Sequence, residues 1–525
     1  MPFFDFHCHP SLKQMLAPAA HNLTPWHDLK VKLKVGKLFG RETEIGINQL
    51  FNGVFNSQSN LKQMQKAGVN LAGVVIYAIE NKIAQGILER KMANAGKINL
   101  MNPESLQALA PGNNYYAWTK KTMDALINNP TPPAGLGASA GANFKFINNV
   151  DEYNRDDLKT VHGILILEGM HCFCTDPTSV HAEADLDDNF NDFMQRYKKR
   201  IFAVNIPHMQ DFPCANHAFG MQFIKEELFY PTGSGLTTWG KNIIKKLYDK
   251  GIFIDLKHMS FYARTQLVAL RSQIGFQDMP LICTHAGLTG CHSDQRYKFL
   301  NTRPKRSGGT WRIRHHKLRG LIPNTAFNLS SINLYDDEIL RILRSKGLIG
   351  ISLDQRILGF PMESVAYQLN DLPYDQEYIA DAEDDIFFRG FANPEDIPFY
   401  IPKDDVLSGD EAQVHGEMSY EYHYYYFLNQ VFHILAVAKR NGVSVREAGS
   451  RICIGSDFDG LINALDCCTT VAQYEEFKNY LRQILTRRPK FWQGLAVKKT
   501  DLDVDELLDG IFFTNAYQFL ETNFV

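Results

Sequence analysis

Eight short apolar runs recur along this chain of 525 residues, and several of them end in a polar residue that can take part in chemistry. Continuous apolar runs of this length are typical of parallel strands that are covered on both faces. Helical patterns lie between them, for example Thr238–Tyr248 and Tyr424–Ala438. The sequence therefore predicts an α/β fold in which eight strands alternate with helices and close into a (β/α)₈ TIM barrel. The eight runs are Pro2–His7, Leu71–Ala78, Gly163–Glu168, Arg200–His208, Gly251–His258, Leu281–His285, Gly347–Asp354 and Arg451–Asp457.

The chain is longer than a minimal barrel, and we place the extra length in loops. We predict one metal-dependent hydrolase barrel domain over residues 1–525, with insertions at about 10–70, 79–160, 290–320 and 355–420. Residues 293–319 are strongly basic and residues 371–411 strongly acidic. Two interpretations stay open for this pair of segments. They are solvated surface loops that attract each other, or the basic loop covers the active site and holds a substrate carboxylate.

Composition excludes several classes of protein. A net charge of −3 argues against nucleic acid as a partner. The first residues show no basic region followed by an apolar stretch, and the longest apolar runs are far shorter than the ~20 residues of a membrane span. Nine cysteines, an odd number, favour free thiols over a disulfide framework. We expect a cytoplasmic protein that acts on a small-molecule substrate without a membrane or nucleic-acid partner, and self-association stays open.

Metal-ligating residue types stand at the ends of five of the predicted strands. His7 and His9 are two positions apart on the first strand, so both imidazoles can face one ion. In a barrel of this kind the carboxyl ends of the strands meet at one mouth. Imidazole nitrogens and carboxylate oxygens are the ligands zinc prefers, and one glutamate can bridge two ions roughly 3.5–4 Å apart. The sequence therefore predicts a metal-dependent hydrolase. The other strand-end residues are Glu168, His258, His285 and Asp457.

Longer motifs surround these residues and make the pattern more specific. They are Phe4-Asp5-Phe6-His7-Cys8-His9, Leu167-Glu168-Gly169, Gly235-Leu236-Thr237-Thr238-Trp239-Gly240, Ile254-Asp255-Leu256-Lys257-His258-Met259-Ser260, Thr284-His285-Ala286-Gly287 and Ile454-Gly455-Ser456-Asp457-Phe458-Asp459-Gly460. With these motifs the chain resembles the membrane (renal) dipeptidase family of zinc peptidases, within the metal-dependent amidohydrolase superfamily. The resemblance covers the barrel and leaves out the large insertions.

The resemblance implies a role for each of these positions. His7 and His9 would bind one zinc ion, His258 and His285 a second, and Glu168 would bridge the two together with a water or hydroxide. Asp457 would act as the catalytic proton acceptor. His208, at the end of the fourth run, would hold the substrate carbonyl oxygen and stabilise the oxyanion. The implied reaction is hydrolysis of an amide bond, in dipeptides or similar N-acyl amino acids.

Two departures from the family pattern keep other functions open. His9 stands where the family usually has aspartate, which removes one negative charge from the site but keeps a metal ligand. Ile332-Asn333 stands where the family has an Arg-Asn pair, so Asn333 stays a predicted substrate-binding residue while the guanidinium is missing. Either an arginine of the basic insertion replaces it, or the substrate is not a free dipeptide. The alternatives are an amidohydrolase for lactones, cyclic amides or deacetylation, and a non-catalytic scaffold stabilised by zinc.

Overall fold

The computed structural model of the chain describes most of the barrel and part of the insertions. The described residues are 2–17, 22–30, 32–38, 41–46, 54, 56–89, 102–220, 226–359, 374–388, 391, 397 and 421–525.

Eight parallel strands form the core of the fold, and each overlaps one of the predicted apolar runs. Along the sheet, every strand pairs with the next one of the set in chain order. The first and last strands meet at their carboxyl ends. There the backbone of Cys8 forms a parallel β-bridge with Phe458, and the His9 amide donates to the Phe458 carbonyl at 2.8 Å. The predicted α/β barrel is confirmed. The strands are β1 Phe3–Cys8, β4 Val69–Ile76, β6 Thr160–Glu168, β7 Ile201–Asn205, β8 Phe253–Asp255, β9 Ile282–Ala286, β14 Leu348–Ile351 and β16 Ile452–Ile454.

Helices cover the barrel from outside, in the positions that sequence periodicity predicts. The helix Thr238–Asp249 begins where the Thr237 side chain accepts the Gly240 amide, and it turns Ile243 and Leu247 inward. The second predicted helix extends over Tyr422–Arg440. The other α-helices among the described residues are Leu12–Leu16, Leu61–Ala67, Asn81–Glu89, Pro103–Leu109, Tyr115–Ile127, Ala182–Tyr197, Phe261–Gln273, Asp336–Arg344, Gln355–Leu358, Asp384–Phe387, Val445–Gly449, Tyr474–Arg487, Val504–Asp509 and Asn515–Asn523.

Aromatic packing closes the end of the barrel that lies opposite the predicted site. Phe202 and Phe253 stand at the amino ends of β7 and β8, with their ring centroids 5.2 Å apart. Phe519, from the last helix, packs 5.6 Å from Phe253. Because this end is filled by apolar rings, polar side chains at the carboxyl ends of the strands are the ones left to form a site.

The insertions add small sheets of their own. The strands β2 Lys32–Leu38 and β3 Arg41–Gly46 form an antiparallel pair, β5 Asn143–Phe146 joins β6, and β12 Leu318–Arg319 pairs with β13 Ala326–Phe327. A third sheet runs in the order β10 Lys305–Ser307, β11 Thr310–His316 and β15 Tyr374–Ala380.

The basic and acidic insertions contact each other through this third sheet. Its strand β11, from the basic stretch, lies antiparallel to β15 from the acidic one. Arg306 bonds Asp381 at 2.6 Å and Lys317 pairs with Asp375. His315 Nε2 lies 3.1 Å from Glu377 Oε1, and both of these side chains are fully buried. The two segments attract each other, as one of the two interpretations expects. They differ from simple solvated loops because they form a sheet that contains a buried polar pair. Most of the predicted insertion at 355–420 lies outside the described residues, and the single-domain prediction stays a prediction.

Candidate metal centre

Four histidines point their Nε2 atoms at one buried carboxylate at the mouth of the barrel. Glu168 Oε1 lies 3.4 Å from His7 Nε2, 3.3 Å from His258 Nε2 and 3.6 Å from His285 Nε2. Its other oxygen, Oε2, lies 3.3 Å from His9 Nε2. The structure therefore brings all five predicted metal ligands into one cluster, with each carboxylate oxygen facing at least one imidazole.

Asp457 lies at the solvent side of this cluster. Its Oδ1 is 3.3 Å from His9 Nε2, and its side chain is 16% exposed, whereas the side chains of the five predicted ligands are at most 4% exposed. A carboxylate placed here can reach both the buried cluster and an incoming molecule.

Backbone geometry at three of these positions is unusual. Gly169, directly after Glu168, has φ 95°, and a Cβ at this residue would come within 2.2 Å of the His171 ring, so only glycine fits the turn. His258 and Asp457 adopt φ values of 67° and 63° although neither is glycine. Left-handed backbone at such residues is strained and is concentrated at functional sites in proteins.

The donor atoms of the cluster fit divalent metal ions. Three sets of donor atoms have all their members within 4.8 Å of one another: His7, His9 and Glu168; Glu168, His258 and His285; and His7, His285 and Asp457. His7 Nε2, His9 Nε2 and Glu168 Oε1 are buried and have no hydrogen-bond partner in the described part of the chain. Buried polar atoms without a partner are costly, and a metal ion satisfies imidazole nitrogen and carboxylate oxygen together.

The electrostatics of the cluster also suit a metal. Burial raises the pKa of Glu168, but the charges of His208 and His9 outweigh burial and hold that pKa well below its usual range. Burial, with the charge of His208, lowers the pKa of His258 well below its usual value. Burial and the charge of His7 do the same for His285. Burial lowers the pKa of His7, but the Glu168 and Asp457 carboxylates outweigh burial and raise it. An ionised carboxylate beside the neutral imidazoles of His258 and His285 is the protonation state that metal ligation requires.

His208, predicted as the oxyanion stabiliser, lies beside the cluster and is held by a residue that sequence reasoning missed. Its Nε2 is 3.7 Å from Glu168 Oε2, and its Nδ1 is 2.7 Å from Glu80 Oε1. Glu80 is fully buried and also accepts the Met209 amide at 3.0 Å and the Tyr77 hydroxyl. Burial lowers the pKa of His208, but the charges of Glu80 and Glu168 outweigh burial and raise it to about 9. The available signal was the position of Glu80, two residues beyond the second apolar run.

Asn333 and Ile332, the positions of the family's Arg-Asn pair, are both buried. The Asn333 amide donates to the carbonyls of Asn328 and Ile357 at 3.0 and 2.9 Å, and no hydrogen bond among the described residues joins it to the cluster. Its predicted role in substrate binding stays a prediction. The Ile332 side chain lies against Gly220, and the Met209 side chain, next to His208 in the chain, approaches the same glycine.

Three arginines of the basic stretch contact side chains outside the metal cluster. Arg306 bonds Asp381, and Arg314 bonds the Gln376 side chain at 2.8 Å. The Arg296 guanidinium is buried against the ring of Phe387, 4.3 Å from its centroid. None of these three contacts involves the metal cluster.

The acidic insertion reaches the loop that carries His258. Glu383 is 3% exposed, and its Oε1 accepts the Ser260 hydroxyl at 2.7 Å and the Asn216 side-chain amide at 2.6 Å. Ser260 in turn caps the helix Phe261–Gln273, which follows His258. Burial raises the pKa of Glu383 to about 7, although both hydrogen bonds act in the opposite direction.

The sequence profile of the membrane dipeptidase family, peptidase family M19, matches residues 141–297. Over this stretch the chain is similar to the membrane dipeptidase family. The stretch includes Glu168, His208, His258 and His285, but neither the first strand nor Asp457. The match confirms the predicted resemblance to membrane dipeptidases, and the chain is a metal-dependent hydrolase of the dipeptidase type. None of the curated proteins is significantly similar in sequence.

Solved structures with a similar chain path include three peptidases. A metallopeptidase from Rhodobacter sphaeroides, bound to a phosphinate mimic of L-Ala-D-Ala, has 15% identity and a TM-score of 0.49, with 100% of this chain and 99% of that chain covered. The dipeptidase AC has 16% identity, a TM-score of 0.48 and the same coverage. The probable dipeptidase PvdM from Pseudomonas aeruginosa has 10% identity, a TM-score of 0.45 and 97% and 96% coverage.

Among the described helices, none combines the length and the apolar character needed to cross a membrane. All nine cysteines are buried free thiols, and none belongs to the sets of clustered donor atoms found in the described residues.

Proposed function

We propose that the protein is a dipeptidase with two zinc ions, which hydrolyses the amide bond of dipeptides or similar N-acyl amino acids. The convergence of four imidazole Nε2 atoms on both oxygens of the buried Glu168 carboxylate carries this proposal. His7 and His9 would hold one ion and His258 and His285 the other, with Glu168 between them. Two such ions, when bound, activate water and polarise the scissile carbonyl.

The chain's own side chains supply the remaining chemistry. Asp457, the most exposed carboxylate at the cluster, accepts a proton from water at Oδ1 and delivers it to the leaving amine. His208 donates from Nε2 to the developing oxyanion, because its Nδ1 is committed to Glu80. Burial of Glu168 and the four histidines keeps bulk water away from their donor atoms.

The proposed substrate class rests on the family match, and the residue at 332 limits it. Ile332 offers no positive charge to a terminal carboxylate, and its apolar side chain beside Gly220 favours an apolar group at that point of the substrate. Lactones, cyclic amides and N-acetyl compounds, which lack a free carboxylate at that position or carry it elsewhere, therefore remain the second candidate class. The cytoplasmic location also stays a prediction.

A dipeptide panel tests the proposal directly. Zinc-loaded protein is assayed with L-Xaa–L-Xaa and L-Xaa–D-Xaa dipeptides, beside Asp457→Asn and the control Asp466→Asn, whose carboxylate is 49% exposed and pairs with His423. We expect Asp457→Asn to lower kcat by roughly 10²–10⁴-fold, because general acid–base catalysis contributes about that much, with the zinc content unchanged. Asp466→Asn should keep wild-type activity.

Three results would count against the proposal. Full activity in Asp457→Asn would exclude its role as the proton acceptor. Protein that holds two zinc ions and cleaves lactones or cyclic amides, but no dipeptide, would keep the metal site and replace the substrate. Protein that binds no zinc at all would remove the basis of the mechanism.

A further inference from the structure

A single buried hydroxyl contacts one predicted ligand of each metal position. Thr284, in β9, is fully buried, and its Oγ1 lies 2.8 Å from His7 Nδ1 and 3.1 Å from His285 Nδ1. The same oxygen contacts Asp255 Oδ2. His7 and His285 belong to different zinc ions in the proposed function, so Thr284 stands between the two metal positions.

The protons of this group can be assigned by counting donors and acceptors. A nitrogen that binds a metal carries no proton, so a histidine that ligates through Nε2 must carry its ring proton on Nδ1. His7 and His285 both point Nε2 at Glu168, and therefore both would present an Nδ1–H to Thr284 Oγ1. A hydroxyl oxygen has two acceptor lone pairs and one proton to donate. The two imidazoles fill the lone pairs, and the hydroxyl proton is left for Asp255.

Asp255 is placed to receive that proton. It is fully buried, and its Oδ1 already accepts the backbone amides of Thr284 and Lys257 at 3.0 and 3.1 Å. Its Oδ2 is thus the oxygen that faces the hydroxyl. This fixed carboxylate leaves the hydroxyl only one orientation, with both lone pairs toward the histidines.

The other two histidines of the cluster have no such support. His9 Nδ1 and His258 Nδ1 are buried without a hydrogen-bond partner among the described residues. Each proposed zinc ion therefore has one histidine oriented by Thr284 and one that is not.

We propose that Thr284 is a positioning residue that sets the tautomers of His7 and His285 together, so that loss of its hydroxyl weakens both metal positions at once. The inference rests on the two-zinc site of the proposed function. Partners that orient metal-ligating histidines typically contribute 10–100-fold to metal affinity. An ordinary structural threonine would instead affect folding stability without a matched effect on two metal ions.

The test measures zinc affinity rather than turnover. Wild type, Thr284→Val, Thr284→Ser and the control Thr289→Val are stripped of metal and titrated with zinc against a chromogenic chelator. Thr289 is fully buried beyond the end of β9. Its hydroxyl donates to the Cys291 and Leu334 carbonyls and accepts from the amide and thiol of Cys291, and none of these contacts involves the metal cluster. We expect Thr284→Val to weaken both zinc ions by about 10–100-fold. Thr284→Ser, which keeps the hydroxyl, and Thr289→Val should stay close to wild type.

Several outcomes would overturn the inference. The first is a zinc affinity of Thr284→Val equal to that of wild type. The second is a loss of affinity for only one of the two zinc ions, and the third is a Thr284→Ser variant that binds zinc as weakly as Thr284→Val. If the valine variant does not fold, Thr284→Ala removes the same hydroxyl without adding a methyl group, and the same comparison applies. Wild type that binds fewer than two zinc ions would refute the proposed function itself, whereas two tight ions in both wild type and Thr284→Val would refute only the role of Thr284.

Discussion

The buried carboxyl group of Glu383 predicts an unusual dependence of stability on pH. Its pKa rises from an ordinary 4.5 to about 7 in the folded protein, chiefly because burial disfavours the charged form. A carboxyl group with a raised pKa stabilises the fold when it is protonated. That contribution is complete below about pH 4.5 and is lost as the pH rises through 7. Replacing Glu383 by glutamine should therefore stabilise the protein in alkaline solution.

The size of the effect follows from the two pKa values. A rise from 4.5 to about 7 corresponds to roughly 3 kcal/mol of unfolding free energy. Glutamine keeps an oxygen that accepts from Ser260 and Asn216 but has no charge to desolvate. With an unfolding entropy of about 2 cal/mol/K per residue, 3 kcal/mol is roughly 3 °C in the thermal midpoint of a chain of this length.

The assay compares thermal midpoints of wild type and Glu383→Gln between pH 4.5 and pH 8. The two proteins should unfold within about 1 °C of each other at pH 4.5, and the variant should be roughly 3 °C more stable at pH 8. Glu227→Gln, the same change at an exposed glutamate, should show no pH-dependent gap. A gap that is constant over the whole pH range would mean that only hydrogen bonding has changed. A variant that loses stability at pH 8 would refute the argument from burial.

Two further predictions concern the metal cluster and its neighbours. Glu80→Gln keeps an acceptor for His208 Nδ1 but removes the buried charge, so kcat should fall by about 10²-fold at unchanged zinc content; wild-type kcat would contradict the positioning role of Glu80. Removing metal with a chelator should abolish activity and lower the thermal midpoint, and zinc should restore both, since a ligand at 100 times its Kd adds about 2.7 kcal/mol. Magnesium at the same concentration serves as the control and should leave the thermal midpoint unchanged. A thermal midpoint that does not rise with zinc either would contradict the metal site.

The sequence predicted the barrel and the cluster because both depend on short-range patterns. Each barrel strand is a local apolar run, and His285 or Glu168 needs only to stand at the end of its own run for parallel strands to bring them together. The role of Glu80 was not predicted, because its hydrogen-bond partner His208 lies 128 positions further along the chain.

Glu383 shows the same limit in a charged segment. The acidic stretch around it is typical of a solvated surface, yet this one side chain is 3% exposed and bonds Ser260 at a distance of 123 positions in sequence. Side-chain pairing over such distances follows from the packing of the whole chain, and local composition does not record it. The hydroxyl of Thr284 was overlooked for a related reason, since the sequence shows a motif but not the ring nitrogens that face it.

The meeting of the first and last barrel strands also sets the order of events during synthesis. The Asp5 carboxylate accepts the Ser456 amide at 3.0 Å, across 451 positions of sequence. At translation rates of 5–20 residues per second, the second partner follows the first by roughly 20 to 90 s. Throughout that interval the edge of β1 that faces β16 has no strand to pair with. His7 and His9 are then already part of the chain, whereas Asp457 has not yet been synthesised. A chain stalled before residue 456 would therefore expose both an open strand edge and an incomplete metal site.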